Sequence, residues 1–115
     1  MTERTITICG KEVRMRYCAA TENGFEMLRK KSIAEIDFTT QEDILTLAVC
    51  AIVSAYSRKG QEPPVNSDTI LYEAKPDEIV KLITNCIELR AEWYGVPAVV
   101  KTDEQKQEDG ETPKN

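Results

Sequence analysis

The sequence predicts an α+β fold that is mainly helical, with an N-terminal β-hairpin packed on a small bundle of three to five helices and a disordered C-terminal tail. Three observations predict it. Two alternating, β-branched runs flank a Gly-Lys pair in TITICGKEVRMRY. The stretch ILTLAVCAIVSAY is apolar except at Thr46 and Ser54. The last fifteen residues, KTDEQKQEDGETPKN, hold no aliphatic, aromatic or cysteine side chain. At 115 residues, 41% hydrophobic and 30% charged, the chain has mass for one core. The expected division is a single domain over 1–97 and a polar tail over 98–115.

The hairpin is read from its turn. Glycine at the first of two central positions suits a type II′ turn at Gly10-Lys11, which pairs Cys9 with Glu12, Ile8 with Val13, Thr7 with Arg14 and Ile6 with Met15. In that register Ile6, Ile8, Val13, Met15 and Tyr17 share one face, while Thr5, Thr7, Arg14 and Arg16 line the other. The segregation predicts one face laid on a core and one in water.

Residues 20–31 (ATENGFEMLRKK) form a helix candidate with Thr21 as a cap, Phe25 and Leu28 as a narrow apolar edge, and a basic carboxyl end. Gly24 weakens its first turns. Residues 32–36 read as one helical turn or a connector. Thr39 or Thr40, followed by Gln41, Glu42 and Asp43, then marks a strong helix start, with a hydroxyl cap and early negative charge. The helix it opens, over 40–59, is apolar nearly all round. Its thirteen-residue apolar stretch spans roughly 20 Å at about 1.5 Å per residue, short of a bilayer core of about 30 Å, so a buried central helix is expected and a membrane span is not.

Gly60 and the consecutive prolines of QEPPVNSD end that helix. Ser67 or Asp68 is placed as the cap of a short helix over 69–74. Pro76, at an N1-like position before Asp77 and Glu78, opens the last helix. Along it Ile79, Leu82, Ile83, Cys86, Ile87 and Trp93 recur at amphipathic spacing, with Lys81, Glu88 and Glu92 on the other side. Gly95 and Pro97 stop it. Beyond lies the tail, whose three basic and five acidic residues leave nothing to repay the entropy of ordering.

Composition excludes several kinds of chemistry. Fifteen Lys and Arg against twenty Asp and Glu give a net charge of -5, the wrong sign for a protein that binds by neutralising phosphates, so no nucleic-acid partner is expected. There is no histidine, which removes the usual general base and the usual transition-metal ligand. Cys9, Cys18, Cys50 and Cys86 are too widely spaced for a thiolate zinc site. With no apolar run behind a basic start in MTERTITICG, reduced thiols in a cytoplasmic protein are the expected state. Cys50 and Cys86 fall on apolar helix stretches and read as packing groups. No catalytic residue, metal site or cofactor is assigned. The paired acids at 42–43 and 77–78 are explained by helix dipoles.

Four residues stand out as candidates for binding a protein partner. Arg14 and Arg16, with residues 29–31, would form a basic patch on the outer face of the hairpin, able to steer an acidic surface. Trp93 and Tyr94 end the last helix as aromatics of the kind enriched at interface anchors.

The order of elements carried by TITICGKEVRMRY, FEMLRKKSIAEID, TTQEDILTLAVCAIVSAY and KPDEIVKLITNCIELRAEWYG resembles the tail assembly chaperones of long-tailed bacteriophages and prophages, over roughly residues 5–95. That family is recognised by its order of elements rather than by any single motif. The resemblance implies a non-enzymatic protein of the bacterial host cytoplasm that binds the long tape measure protein and keeps it soluble until tail tube subunits assemble around it. A small cytosolic interaction module or homo-oligomeric scaffold, also without catalytic activity, is the competing expectation.

Overall fold

Alternation of β-branched residues across a tight turn produces the first two elements, β1 (Glu3–Ile8) and β2 (Lys11–Arg16), which pair antiparallel. In the computed structural model, which describes residues 3–96, four helices follow: α1 (Ala19–Arg29), α2 (Gln41–Ser57), α3 (Ser67–Glu73) and α4 (Pro76–Tyr94). A single 3-10 turn at Ile33–Glu35 joins α1 to α2. The architecture is the expected hairpin on a helical bundle. The polar tail expected over 98–115 lies outside the described residues.

The hairpin register differs from the expected one by two. Ile8 pairs with Lys11 and Ile6 with Val13, so the turn is Cys9-Gly10 rather than Gly10-Lys11. Both turn residues have positive φ, 54° at Cys9 and 75° at Gly10, as a type I′ turn requires. The twist of that turn matches the twist of the strands, and a cysteine in the left-handed region is tolerated for it. Because the slip is an even number, no side chain changes face: Ile6, Ile8, Val13, Met15 and Tyr17 are all buried.

That face packs on α2 and α4, where Ile44, Leu47, Ala48, Ala51 and Ile52 of one helix meet Leu82, Cys86 and Leu89 of the other. The outer edge of β2 is closed by side chains. The Arg14 N–H donates to the Tyr56 hydroxyl at 3.0 Å, and the Arg16 carbonyl accepts from Thr21 at 2.9 Å. Arg4 reaches from β1 to α4, binding Glu88, Glu92 at 2.6 Å and Asn85 at 3.1 Å. Glu88 and Glu92, expected on a plain solvent face, thus grip the sheet. Partly exposed pairs of this kind are worth about 0–1 kcal/mol each, so their role is to orient α4 more than to stabilise it.

α1 runs antiparallel to α2. Its N-cap is Cys18, and Thr21, expected as the cap, is the buried N3 residue whose hydroxyl accepts the Cys18 N–H at 3.1 Å. The same hydroxyl lies 2.9 Å from Ser54 on α2. Phe25 is buried, whereas Leu28, expected beside it, is 65% exposed. The helix ends at Lys30, in the left-handed conformation. Gly24 has a positive purpose. A Cβ there would sit 3.1 Å from the Cys50 sulfur, so glycine lets the two helices approach.

At the start of α2, Thr40 is the N-cap but its hydroxyl turns back to the Asp37 carbonyl. α3 is capped ahead of both expected residues, Ser67 and Asp68, by Asn66, whose side chain accepts the Thr69 N–H at 2.9 Å. α4 begins with Pro76 as expected and ends at Gly95, whose φ of 76° stops the helix.

Candidate functional site

The chain's four cysteines are its nucleophilic side chains, and the fold buries Cys50 and Cys86 near each other while Cys9 and Cys18 are half-exposed. All four are free thiols. Burial pushes Cys50 up to about 11 and Cys86 up to about 12, which keeps both protonated and inert. Among the described residues no group of three or more His, Cys, Asp or Glu side chains is placed to hold a metal ion.

The basic patch does not assemble as one surface. Arg14 lies over the Tyr56 ring at 4.6 Å and bonds Gln61 at 3.2 Å, with Glu3 at 3.4 Å. Arg16 shares its face, half-buried, and its carbonyl is taken by Thr21. Arg29 and Lys31 are drawn away to Asp43, at 2.8 and 2.6 Å. Tyr56 and Asp43 stand near opposite ends of α2, roughly 20 Å apart at about 1.5 Å per residue, so the two groups of cations are separate. Asp43, read from sequence as a helix-dipole acid, is 1% exposed. The Lys31 ammonium, the Asp37 N–H and the Arg29 guanidinium hold its carboxyl down to about 2.

Trp93 and Tyr94 do come together, in an aromatic and arginine cluster at the carboxyl end of α4. Trp93 meets Tyr17 at 5.5 Å and Tyr94 at 5.0 Å between ring centroids. The Arg90 guanidinium lies between the rings of Tyr94, at 4.8 Å, and Phe38, at 5.3 Å. One oxygen of Glu22 accepts both phenols, Tyr17 at 2.7 Å and Tyr94 at 2.5 Å. Burial and that carboxylate raise the Tyr17 phenol above its ordinary range, and the Glu22 bond followed by burial raises Tyr94. Trp93 remains 37% and Tyr94 47% exposed, so the cluster joins α1 to α4 on one side and shows aromatic surface on the other.

A second surface was not foreseen. α2 was expected to be covered all round, but the bundle surrounds it on three sides, leaving Val53 exposed and Val49 half-exposed. Beside this strip α3 buries Ile70 while Leu71 and Tyr72 point outward, 60% and 85% exposed. Two adjoining pockets of about 360 and 380 Å³ result, sharing Gln41, Ile70 and Leu71. One continues over Leu45 and Val49 on α2, the other over Ala74 and Ile79 toward α4. The available sequence signal was an excess: an all-apolar helix and a short ILY segment exceed what so small a body can enclose. Among the described residues, neither surface brings together a nucleophile, a base and an oxyanion donor.

Comparison with protein-family models, with curated proteins and with solved structures finds no match to this chain.

Proposed function

We propose that this protein is a client-holding factor of the tail assembly chaperone type, acting without catalysis in the bacterial cytoplasm to bind the tape measure protein and keep it soluble during tail assembly. The observation that carries this reading is the amount of apolar side chain left uncovered on a small acidic body: Leu71, Tyr72 and Val80 on α3 and α4, and Met27 and Leu28 on α1, are each at least 60% exposed. A soluble body with a rigid core and an unpartnered apolar surface can shield a helical client by lending that surface reversibly. The order of elements supports the same role. Among the described residues no helix is long and apolar enough to cross a membrane.

Co-expression tests it. The chain is produced with the tape-measure-sized reading frame nearest its gene, and the large protein is expected to shift from the pellet to the soluble fraction and to co-purify. No gain in solubility and no complex would overturn the reading. A stable self-assembly that leaves the large protein insoluble would favour a homo-oligomeric scaffold instead.

A further inference from the structure

We infer that the trough between α2, α3 and the start of α4 is the client-binding site, and that it takes an amphipathic helix whose apolar stripe is flanked by lysine or arginine. This inference rests on the client-holding reading and adds the place and the partner chemistry.

Shape is the first argument. The two pockets adjoin at Leu71 and Gln41, so their apolar floors, Leu45 and Val49 on one side and Ala74 and Ile79 on the other, form one continuous depression. On α2, Leu45 and Val49 lie one turn apart in the lining of one pocket, and Val53, one turn further and exposed, carries the apolar row beyond it, a spacing that suits side chains at i, i+3, i+4 and i+7 of a partner helix. An extended strand would need a free sheet edge to bond its backbone, and the trough is walled by helices, whose backbone groups are already paired.

Charge is the second. Glu42 is the one charged residue lining either pocket among the described residues; its side chain is 72% exposed and is paired on one side with Arg29 at 3.1 Å. From Gln61 to Val80 the chain carries Glu62, Asp68, Glu73, Asp77 and Glu78 against the single base Lys75. Asp68, Glu73 and Asp77 are exposed on α3 and the opening of α4. Each of these acids is next in sequence to a lining residue, Ser67, Ala74 or Pro76, with Lys75 the one base among them, and an apolar floor so flanked favours an apolar stripe with basic borders over an acidic amphipathic helix.

The test uses capped peptides of about 18 residues, long enough to be helical when bound. One carries leucine at i, i+3, i+4 and i+7 with flanking lysines, a second the same leucines with flanking glutamates, and a third the lysine peptide with its leucines scrambled. By fluorescence anisotropy the lysine peptide is expected to bind the full chain at least tenfold more tightly than either of the others. Leu71→Lys is expected to weaken it tenfold or more, while Thr5→Lys, which adds the same charge on the solvent face of the hairpin, leaves it within twofold. Amide shifts on titration should centre on Gln41, Thr46, Ile70 and Ile79, a readout that needs no variant. Equal binding of the three peptides, shifts centred elsewhere, or indifference to Leu71→Lys would overturn the inference. Capture of the tape measure protein by the wild type but equally by Leu71→Lys would overturn the site and leave the function standing; failure of the wild type to capture it would remove the function, whatever the peptides do.

Discussion

The carboxylate of Glu78 accepts the backbone N–H of Cys9 at 2.9 Å, binding the first turn of α4 to the tip of a hairpin 69 positions earlier in the chain. Its other oxygen accepts the Lys75 N–H, also at 2.9 Å, which caps the same helix. One side chain therefore starts a helix and docks a sheet. Glu78→Ala is expected to cost about 1.5–3 kcal/mol, the range for hydrogen bonds to a charged group, in urea unfolding. Glu78→Gln, which keeps one acceptor oxygen, should recover part of the loss. An alanine variant as stable as the wild type would show that the hairpin tip is held by packing alone.

The turn itself is open to improvement. Cys9 occupies a left-handed position that asparagine adopts more readily, and Asn-Gly is the preferred pair for a type I′ turn. Cys9→Asn keeps the N–H that bonds Glu78, so stability is expected to rise by up to about 1 kcal/mol. A loss of stability would mean that the thiol's place beside the Thr69 carbonyl matters more than the backbone preference.

Gly24 and Cys50 set the spacing of α1 and α2. Alanine at position 24 gains about 1 kcal/mol in helix propensity but places a Cβ 3.1 Å from a buried sulfur. The two effects oppose each other, so Gly24→Ala alone should give little or no gain. In a Cys50→Ala background the clash is gone, and the same substitution should be more favourable by roughly 1 kcal/mol. Thermal unfolding of the four members of the cycle measures the coupling. Simple additivity would deny that the pair is in tight contact.

Asp43 makes stability depend on acid. Its folded-state value of about 2 lies below the ordinary 3.8, so the unfolded chain binds the proton more readily. Its contribution is complete above about pH 4 and declines as pH falls toward about 2. Asp43→Asn should lower the urea midpoint at pH 7, and the gap from the wild type should narrow steadily below pH 4. A gap unchanged down to pH 2 would place the effect in shape and not in charge.

Much of the fold was legible because its signals are local. β-branched alternation gave β1 and β2, the acid-led apolar run gave α2, and Pro76 with Asp77 and Glu78 gave α4. Even the misplaced turn kept every hairpin side chain on its expected face, because parity survives a shift of two. Trp93 and Tyr94 stand out in the sequence by type and position, but their packing with Tyr17 and Arg90 depends on distant partners. The trough over Leu45, Val49 and Leu71 was not legible, since a helix apolar all round says nothing about which of its faces the rest of the chain leaves open.

By itself, then, the sequence determined the elements, their order, the buried face of the hairpin and the absence of histidine chemistry, all of which depend on neighbours within a few positions. Tertiary structure alone decided that Arg29 and Lys31 serve Asp43 rather than a patch with Arg14, that Glu78 holds Cys9, and that three sides of α2 are covered and the fourth is not. Those outcomes depend on which distant groups compete for one partner and on how much surface a body this small can enclose, and neither is written in local spacing.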